Sequence, residues 1–276
     1  MREEYLEGAG VRLRCRIEGE GPAVLLLHGF PESSRAWDKQ MGFLAARGLR
    51  AVAPDLRGYG KSDKPRGVAA YSLDRLVGDV RCLIGTLGGP VTLVGHDWGG
   101  IVAWHVAMRH PELLARLAIL NVPHPGWVAR LGRFPRQWLR SWYVAFFQLP
   151  WIPELLARGA GDRLMRSRML AEAGPGAFTE EQLASYAALS ADPAPALHYY
   201  RAWVRSRPWR HPVRRIDLPT LVLWGERDRY LGRELAAPDP SWVPDCDVRF
   251  FPASHWLQNE LPDSVNAALL EFLRAR

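Results

Sequence analysis

The sequence predicts an α/β fold, with a mostly parallel, doubly wound sheet and an inserted helical segment, and three observations lead to this prediction. Short apolar runs alternate with helix-like stretches through the first part of the chain, and repeated βα units form parallel sheets. Residues 126–212 break this alternation and are rich in Trp, Arg and Leu, after which strand-like runs resume. We therefore expect a core of residues 1–125 and 213–276, with a helical subdomain of residues 126–212 inserted after the sixth strand.

The elements expected before the insertion follow from their apolar patterns. Val11–Ile17 alternates between apolar and polar residues, as a half-exposed strand does. Continuous apolar runs suit strands that are buried on both faces of a parallel sheet. Four such runs are Ala23–Leu27, Leu49–Ala53, Val91–Val94 and Leu117–Leu120. The helices predicted among them are Trp37–Arg47, Leu73–Leu87 and Ile101–Arg109.

Helices dominate the predicted insertion, and the sheet is completed after it. The helix-like stretches of the insertion are Arg136–Phe147, Pro153–Ala160, Thr179–Leu189 and Ala196–Arg205. Two further strands and a closing helix are predicted at Leu218–Trp224, Asp247–Phe251 and Asp263–Arg274.

The charge distribution argues against a nucleic-acid partner. The formal net charge is +7, and residues 126–212 hold 12 Arg against 6 Asp and Glu. These arginines are scattered among Trp, Leu and Pro and form no basic block, so we expect a solvated surface with no nucleic-acid partner.

Location and cofactor use are also constrained by the sequence. Three distant cysteines indicate neither a disulfide framework nor a zinc site. Residues 1–10 lack the apolar core of a secretory signal, and the aromatic-apolar stretch Trp142–Pro153 is shorter than the ~20 residues that span a bilayer. The phosphate-loop pattern fails because Asp55 replaces its first glycine. We expect a cytoplasmic protein without a transmembrane segment, metal or other cofactor.

The most informative motif is Gly95-His96-Asp97-Trp98-Gly99, which links a strand-like run to a helix. With serine at its centre, the motif G-x-S-x-G forms a nucleophile elbow. The carboxylate of Asp97 has a different use at that position. A carboxylate at that position can attack a saturated carbon, in an epoxide or an alkyl halide, and form an ester that water must then cleave.

Hydrolysis of such an ester needs a base for the water and a group that orients the base. Asp228 and His255 each come shortly after a predicted strand, and functional groups in open α/β sheets collect beyond the carboxyl ends of the strands. The chain order of nucleophile, acid and histidine is that of an α/β-hydrolase triad. Glu226, two residues before Asp228, is the less favoured acid and is expected to be a solvated loop charge.

Together with His28-Gly29-Phe30-Pro31 and Asn121–Pro125, these motifs resemble the α/β-hydrolase superfamily, and within it the capped epoxide hydrolases, over nearly the whole chain. The resemblance implies the α/β-hydrolase fold with the insertion as its cap. It implies that the backbone N–H groups of Phe30 and Trp98 form the oxyanion hole, and that Phe30, Pro31 and Trp98 bind substrate. Some relatives carry the acid at the position of Asn121, which has no charge to contribute.

The same resemblance implies two tyrosines that hold and protonate the epoxide oxygen. Tyr143, within Ser141–Pro150, matches the first, and Tyr200, directly before Arg201, matches the second. The neighbouring Tyr199 is expected to point away. The implied substrates are a small hydrophobic epoxide and water, and the implied protein is a monomer or homodimer.

Two other functions compete with this interpretation. A haloalkane dehalogenase shares the Asp nucleophile and the histidine, but Phe30 stands where such enzymes often have Asn; Trp142 or Trp151 would then have to supply a halide-binding N–H. The other alternative is a non-catalytic ligand-binding protein of the same fold, since fold alone does not establish function.

Overall fold

An eight-stranded sheet runs through the centre of the computed structural model, which describes residues 1–275. The strands are β1 (Arg2–Glu7), β2 (Arg12–Glu18), β3 (Ala23–Leu27), β4 (Arg50–Pro54), β5 (Val91–His96), β6 (Leu114–Leu120), β7 (Thr220–Gly225) and β8 (Cys246–Phe251). Their order in the sheet is β1-β2-β4-β3-β5-β6-β7-β8. Within the described sheet, β2 alone runs against the other strands.

Among residues 1–275, five α-helices accompany the sheet and six lie between β6 and β7. Those of the sheet region are α1 (Asp38–Ala45), α2 (Leu73–Leu87), α3 (Trp98–Arg109), α10 (Leu257–Glu260) and α11 (Pro262–Arg274). Those between β6 and β7 are α4 (Pro135–Arg140), α5 (Trp142–Phe146), α6 (Ile152–Leu156), α7 (Asp162–Ala173), α8 (Glu180–Ala187) and α9 (Ala194–Arg205). In the described part of the chain, no helix combines the length and the apolar character that crossing a membrane requires.

Apolar side chains cover both faces of the sheet, because successive residues of a strand point to opposite sides. On one face, Leu25 and Leu27 pack in a cluster with residues of α2 and α3. On the other, Val24 and Leu26 pack with residues of α1 and α11. The two layers of helices confirm the predicted doubly wound α/β class.

Three differences from the predicted elements have physical causes. β1 was not predicted because its residues are mostly polar and exposed; its backbone pairing with β2 makes it a strand. The helix predicted at Arg136–Phe147 is two helices that meet at Ser141. The helix predicted to end at Ala160 continues through a π-helical turn at Ala157–Gly161 into α7, so glycines 159 and 161 do not end it.

The helices between β6 and β7 occupy the predicted insertion. Among them, α8 begins with a capping box, in which Thr179 and Gln182 exchange side-chain to backbone hydrogen bonds. We propose that residues 126–212 form a cap on a core of residues 1–125 and 213–276, of which Arg276 lies outside the described residues.

A buried ion pair joins two core segments and gives a stability prediction. The guanidinium of Arg57 donates to both carboxylate oxygens of Asp79 in α2, at 2.6 and 2.8 Å, and both side chains are 4% exposed. Replacing Asp79 with Ala leaves the Arg57 charge buried and unpaired, so we expect the free energy of unfolding to fall by about 3–5 kcal/mol. Urea denaturation measures this change.

The matched control is Asp74→Ala, also in α2. Asp74 pairs with Arg109 but its side chain is 83% exposed, and exposed pairs contribute about 0–1 kcal/mol. Equal losses of unfolding free energy in the two variants would show that burial of the Arg57–Asp79 pair has no special importance.

Candidate active site

The turn between β5 and α3 holds Asp97 in a strained conformation beyond the end of the sheet. Its φ is 48° and its ψ is −118°, a combination that L-residues rarely adopt. Close backbone contacts make glycine necessary around it. A Cβ at Gly99 would lie 2.2 Å from the carbonyl oxygen of Leu27, and one at Gly29 would lie 2.4 Å from the Cβ of Asp97. The elbow therefore presents the Asp97 carboxylate at the carboxyl ends of β3 and β5.

Each oxygen of the Asp97 carboxylate has a different neighbour. The backbone N–H of Phe30 donates to Oδ1 at 2.8 Å. Oδ2 lies 3.6 Å from Nε2 of His255, and the side chain keeps 15% exposure. Burial opposes ionisation of Asp97. The nearby His255 and the hydrogen bond from the Phe30 N–H together outweigh burial and hold the pKa of Asp97 below its ordinary value. The carboxylate is therefore ionised.

The second predicted carboxylate lies behind His255. Oδ2 of Asp228, after β7, is 2.7 Å from Nδ1 of His255, after β8. Burial alone would lower the pKa of His255, but the carboxylates of Asp228 and Asp97 on its two sides raise it well above its ordinary value. Glu226 lies in the same turn and forms a surface ion pair with Arg233.

Asp228 is itself held by donors, one of which the sequence did not predict. Its Oδ1 accepts from the backbone N–H groups of Tyr230 and Leu231, at 2.7 and 3.0 Å. Asn121 donates through Nδ2 to Oδ2 at 2.9 Å, and its own Oδ1 accepts from the N–H of Gly225 at 2.7 Å. Asn121 has no charge with which to orient a histidine. In this fold it holds Asp228, and Asp228 orients His255.

A buried polar network beneath His255 was also missed. Nε2 of His96 contacts the carbonyl oxygen of His255 at 2.9 Å, and Nδ1 of His96 contacts Glu32 at 2.7 Å. Gln258 donates to Glu32 at 3.1 Å. Each of these groups is buried. His96 lies inside the elbow motif and Glu32 directly follows His28-Gly29-Phe30-Pro31, so their nearness to these motifs was the signal that the sequence offered.

The two predicted cap tyrosines come together above Asp97. Tyr143 is in α5 and Tyr200 in α9, and their ring centroids are 5.9 Å apart. The Tyr200 ring packs edge-to-face on Trp98 at 4.9 Å and on Phe30 at 5.6 Å. Burial, reinforced by the Asp97 charge, raises the pKa of both phenols above the ordinary value. Both hydroxyls therefore stay protonated and available as donors near neutral pH.

Tyr199 lies beside Tyr200 in the sequence but serves a different environment. Its side chain is fully buried, and its hydroxyl donates to the carbonyl oxygen of Arg57 at 2.7 Å.

A tyrosine that the sequence did not predict as a site residue, Tyr230, lies closer to the site. Its ring centroid is 5.2 Å from that of His255 and 6.0 Å from that of Tyr143.

Two cavities contact Asp97, and a third shares Phe30 and Pro31 with the larger of them. One of about 380 Å³ is lined by Asp97, His255, both cap tyrosines and Tyr230. A second, of about 110 Å³, contacts Asp97, Trp98 and both cap tyrosines. A third, of about 420 Å³, has mainly apolar walls. Phe30 and Pro31 line both large cavities, and Trp98 lines the small one. The mainly apolar walls of these cavities suit an apolar molecule.

A family model described as "alpha/beta hydrolase fold" matches residues 22–261. Human Epoxide hydrolase 4 is 34% identical over 98% of this chain and 77% of its own length. AB hydrolase superfamily protein YfhM of Bacillus subtilis is 38% identical over 98% of this chain and 97% of its own length. The chain belongs to the epoxide hydrolase family of α/β-hydrolases. The resemblance noted in the sequence is thereby confirmed.

Solved structures of the epoxide hydrolase family agree with this assignment. The M145A mutant of an epoxide hydrolase from Bacillus megaterium superimposes with a TM-score of 0.90, at 31% identity and over 99% of this chain and 100% of the other. The structure of Bacillus megaterium epoxide hydrolase in complex with an inhibitor gives a TM-score of 0.89 at 31% identity, with the same coverage of both chains. The α/β-hydrolase fold of the chain is confirmed.

The family assignment, together with the positions of two tryptophans, disfavours the alternative function of a haloalkane dehalogenase. Trp151, one of the two tryptophans that a halide site would use, is 81% exposed and lines none of the three cavities described above. Trp142 lines both large cavities, but its side chain is also mainly exposed. By contrast, Tyr143 and Tyr200 line both cavities that contact Asp97.

Proposed function

We propose that the chain hydrolyses a small apolar epoxide to a vicinal diol through a covalent ester on Asp97. One observation carries this proposal: the ionised carboxylate of Asp97 shares a cavity with two protonated phenols, Tyr143 and Tyr200. A nucleophile and acidic donors that line one cavity are what the opening of an epoxide ring requires.

In the first half-reaction, one oxygen of Asp97 attacks a carbon of the epoxide. Oδ1 is held by the Phe30 N–H at 2.8 Å, so Oδ2 forms the new C–O bond and Oδ1 becomes the ester carbonyl oxygen. The ring C–O bond breaks and its electron pair stays on the ring oxygen. One phenol, Tyr143 or Tyr200, gives that oxygen a proton while the other donates a hydrogen bond, because an alkoxide is a poor leaving group near neutral pH.

In the second half-reaction, water attacks the ester carbonyl carbon of Asp97. His255, oriented by Asp228, takes one proton from the water through Nε2. The Phe30 N–H and that of Trp98 stabilise the oxyanion; Trp98 is the first residue of α3, and N–H groups at a helix N-terminus have no acceptor within the helix. The alkyl C–O oxygen leaves with the proton from His255. The remaining proton on Asp97 restores the phenol, and the diol is released.

The charges around His255 suit this order of steps. In the free protein, Asp97 and Asp228 both raise the pKa of His255 against the effect of burial. Ester formation removes the negative charge of Asp97, so the pKa of His255 falls at the step that needs a base. Asp228 remains to hold the imidazole in place.

The decisive experiment measures diol release from styrene oxide and straight-chain terminal epoxides, beside halide release from bromoalkanes. We expect diol and no halide. Tyr200→Phe and Tyr143→Phe should each lower kcat by about 100-fold, because each removes one donor to the developing alkoxide.

Tyr199→Phe is the matched control, because it also removes a buried phenol hydroxyl, one that donates to Arg57 and not into the cavity. Its kcat should stay near that of the native chain. Halide release with no diol, and no effect of Tyr200→Phe, would identify a haloalkane dehalogenase. Epoxide binding with no diol would identify a ligand-binding protein.

A further inference from the structure

The cap exposes several large apolar side chains, four of which also line the two large cavities. We define the mouth surface by six residues whose side chains are each more than half exposed: Leu139, Trp142, Trp151, Leu155, Leu156 and Leu164. Isolated apolar residues are common on protein surfaces, but a group of this size marks an interaction site.

The mouth surface is continuous with the space around Asp97. Trp142 and Leu164 line both large cavities. Leu139 lines the cavity of about 380 Å³ that contacts Asp97, and Leu156 lines the cavity of about 420 Å³. Four of the six members of the mouth surface therefore line the cavities that an apolar molecule would enter.

The remaining members, Trp151 and Leu155, lie beside Leu156 at α6, where Ile152 adds a further exposed apolar side chain. Ile152, Leu155 and Leu156 stand three and four residues apart in α6, a spacing that places them on one face. All three are exposed, so this face of α6 has no described partner in the protein. Trp151 directly precedes the helix. Tryptophan is suited to a membrane interface because its ring is largely apolar and its N–H is polar.

The charge next to the mouth surface indicates the partner. Residues 133–168 contain seven Arg and two acidic residues. Arg133, Arg136, Arg158 and Arg163 are exposed, and none forms an ion pair within the described part of the chain. Apolar and aromatic side chains beside arginines are the composition that binds a bilayer with anionic headgroups.

We propose that the mouth surface docks on a lipid bilayer that contains anionic lipid, with Trp151 and α6 entering the headgroup region. The cavity mouth then faces the lipid, where apolar molecules are concentrated. A symmetric dimer through this face is disfavoured, because its self-complementary interface would bring the same arginines of two copies together. Docking goes beyond the proposed reaction and does not depend on it.

The test is co-sedimentation of the full chain with phosphatidylcholine vesicles, with and without phosphatidylglycerol. We expect binding to the anionic vesicles that weakens as salt is raised. The double variant Trp151→Ser/Leu155→Ser should reduce the partition coefficient by about tenfold or more, because each large apolar side chain contributes on that order. Neither residue lines a described cavity, so diol release in solution should not change.

Two matched controls complete the design. Tyr5→Ser removes an exposed aromatic side chain from the edge strand β1 and should leave binding intact. Arg136→Glu/Arg158→Glu should reduce binding, whereas Arg81→Glu, at an exposed position of α2, should have a much smaller effect.

Three results would overturn the proposal. The first is no binding of the native chain to anionic vesicles. The second is an equal loss of binding in the Tyr5→Ser control. The third is a dimer in light scattering that Trp151→Ser/Leu155→Ser converts to a monomer, which would assign the surface to self-association.

Discussion

Replacing Asp97 with Ala is expected to lower kcat for epoxide hydrolysis by about 10⁴-fold or more, the largest effect of any substitution considered. The variant loses the atom that attacks the epoxide, and removal of a catalytic nucleophile has effects of about this size or larger in other hydrolases. Substrate binding should persist, because the apolar walls of the cavities stay in place. Diol release and a binding assay on the same preparation separate the two quantities.

Asp162→Ala serves as the carboxylate control. Asp162 is exposed and lines the cavity of about 420 Å³, which His255 does not line, so its replacement should leave kcat nearly unchanged. A native-like kcat for Asp97→Ala would exclude the covalent route and leave direct attack of water on the epoxide.

Isotope labelling tests the ester independently of any substitution. In a single turnover in heavy-oxygen water, the oxygen of the attacking water should end in the Asp97 carboxylate, while the diol receives an oxygen from Asp97. Mass spectrometry of the peptide that contains Asp97 measures the label. Label in the diol alone after the first turnover would contradict the mechanism.

Replacing His255 with Gln has the second large expected effect, the accumulation of the alkyl ester. The first half-reaction needs Asp97 and the tyrosines, whereas the second needs a base for water. The variant should therefore gain the mass of one epoxide per chain within the first turnover, and steady-state diol release should fall by about 10³-fold or more. Intact-protein mass spectrometry measures the adduct.

The pH dependence of ester hydrolysis tests the role of His255 as a base in a second way. Nε2 of His255 acts as a base only when it is unprotonated, so hydrolysis of the ester should accelerate as pH rises through the pKa of His255 in the ester. Asp228 raises this pKa against the effect of burial, but the charge of Asp97 no longer contributes.

The control variant is His110→Gln, at the end of α3, which should retain the native pH profile of ester hydrolysis. Failure of His255→Gln to trap an adduct on Asp97 would exclude His255 as the base.

Much of the fold was predictable because the strands carry strong local signals. Ala23–Leu27 is both a continuous apolar run and an observed strand that is buried along its whole length. Glycines and prolines mark the turns near it. By contrast, β1 has few apolar residues, and its extended conformation depends on hydrogen bonds to β2. No local pattern reports such a pairing.

The cap was harder to predict in detail than the sheet. Four of its segments were predicted as helical, but α7, the break at Ser141 and the π-helical turn at Ala157–Gly161 were not. Helix periodicity reflects only the residues that are close to one another in the chain. Where a helix bends or divides depends on what its faces pack against, and in the cap those faces meet cavities and solvent as well as core.

The sequence by itself determined the fold class, the family and the candidate residues Asp97, Asp228, His255, Tyr143 and Tyr200, because short motifs record them. Only the tertiary structure decided that Asn121 holds Asp228, that His96 and Glu32 lie beneath His255, and that Leu139, Trp142 and Leu164 line the cavity that contacts Asp97. The physical reason is that a motif specifies the chemistry of its own residues, whereas hydrogen bonds and surfaces join residues that are distant in sequence and become neighbours only when the chain has folded.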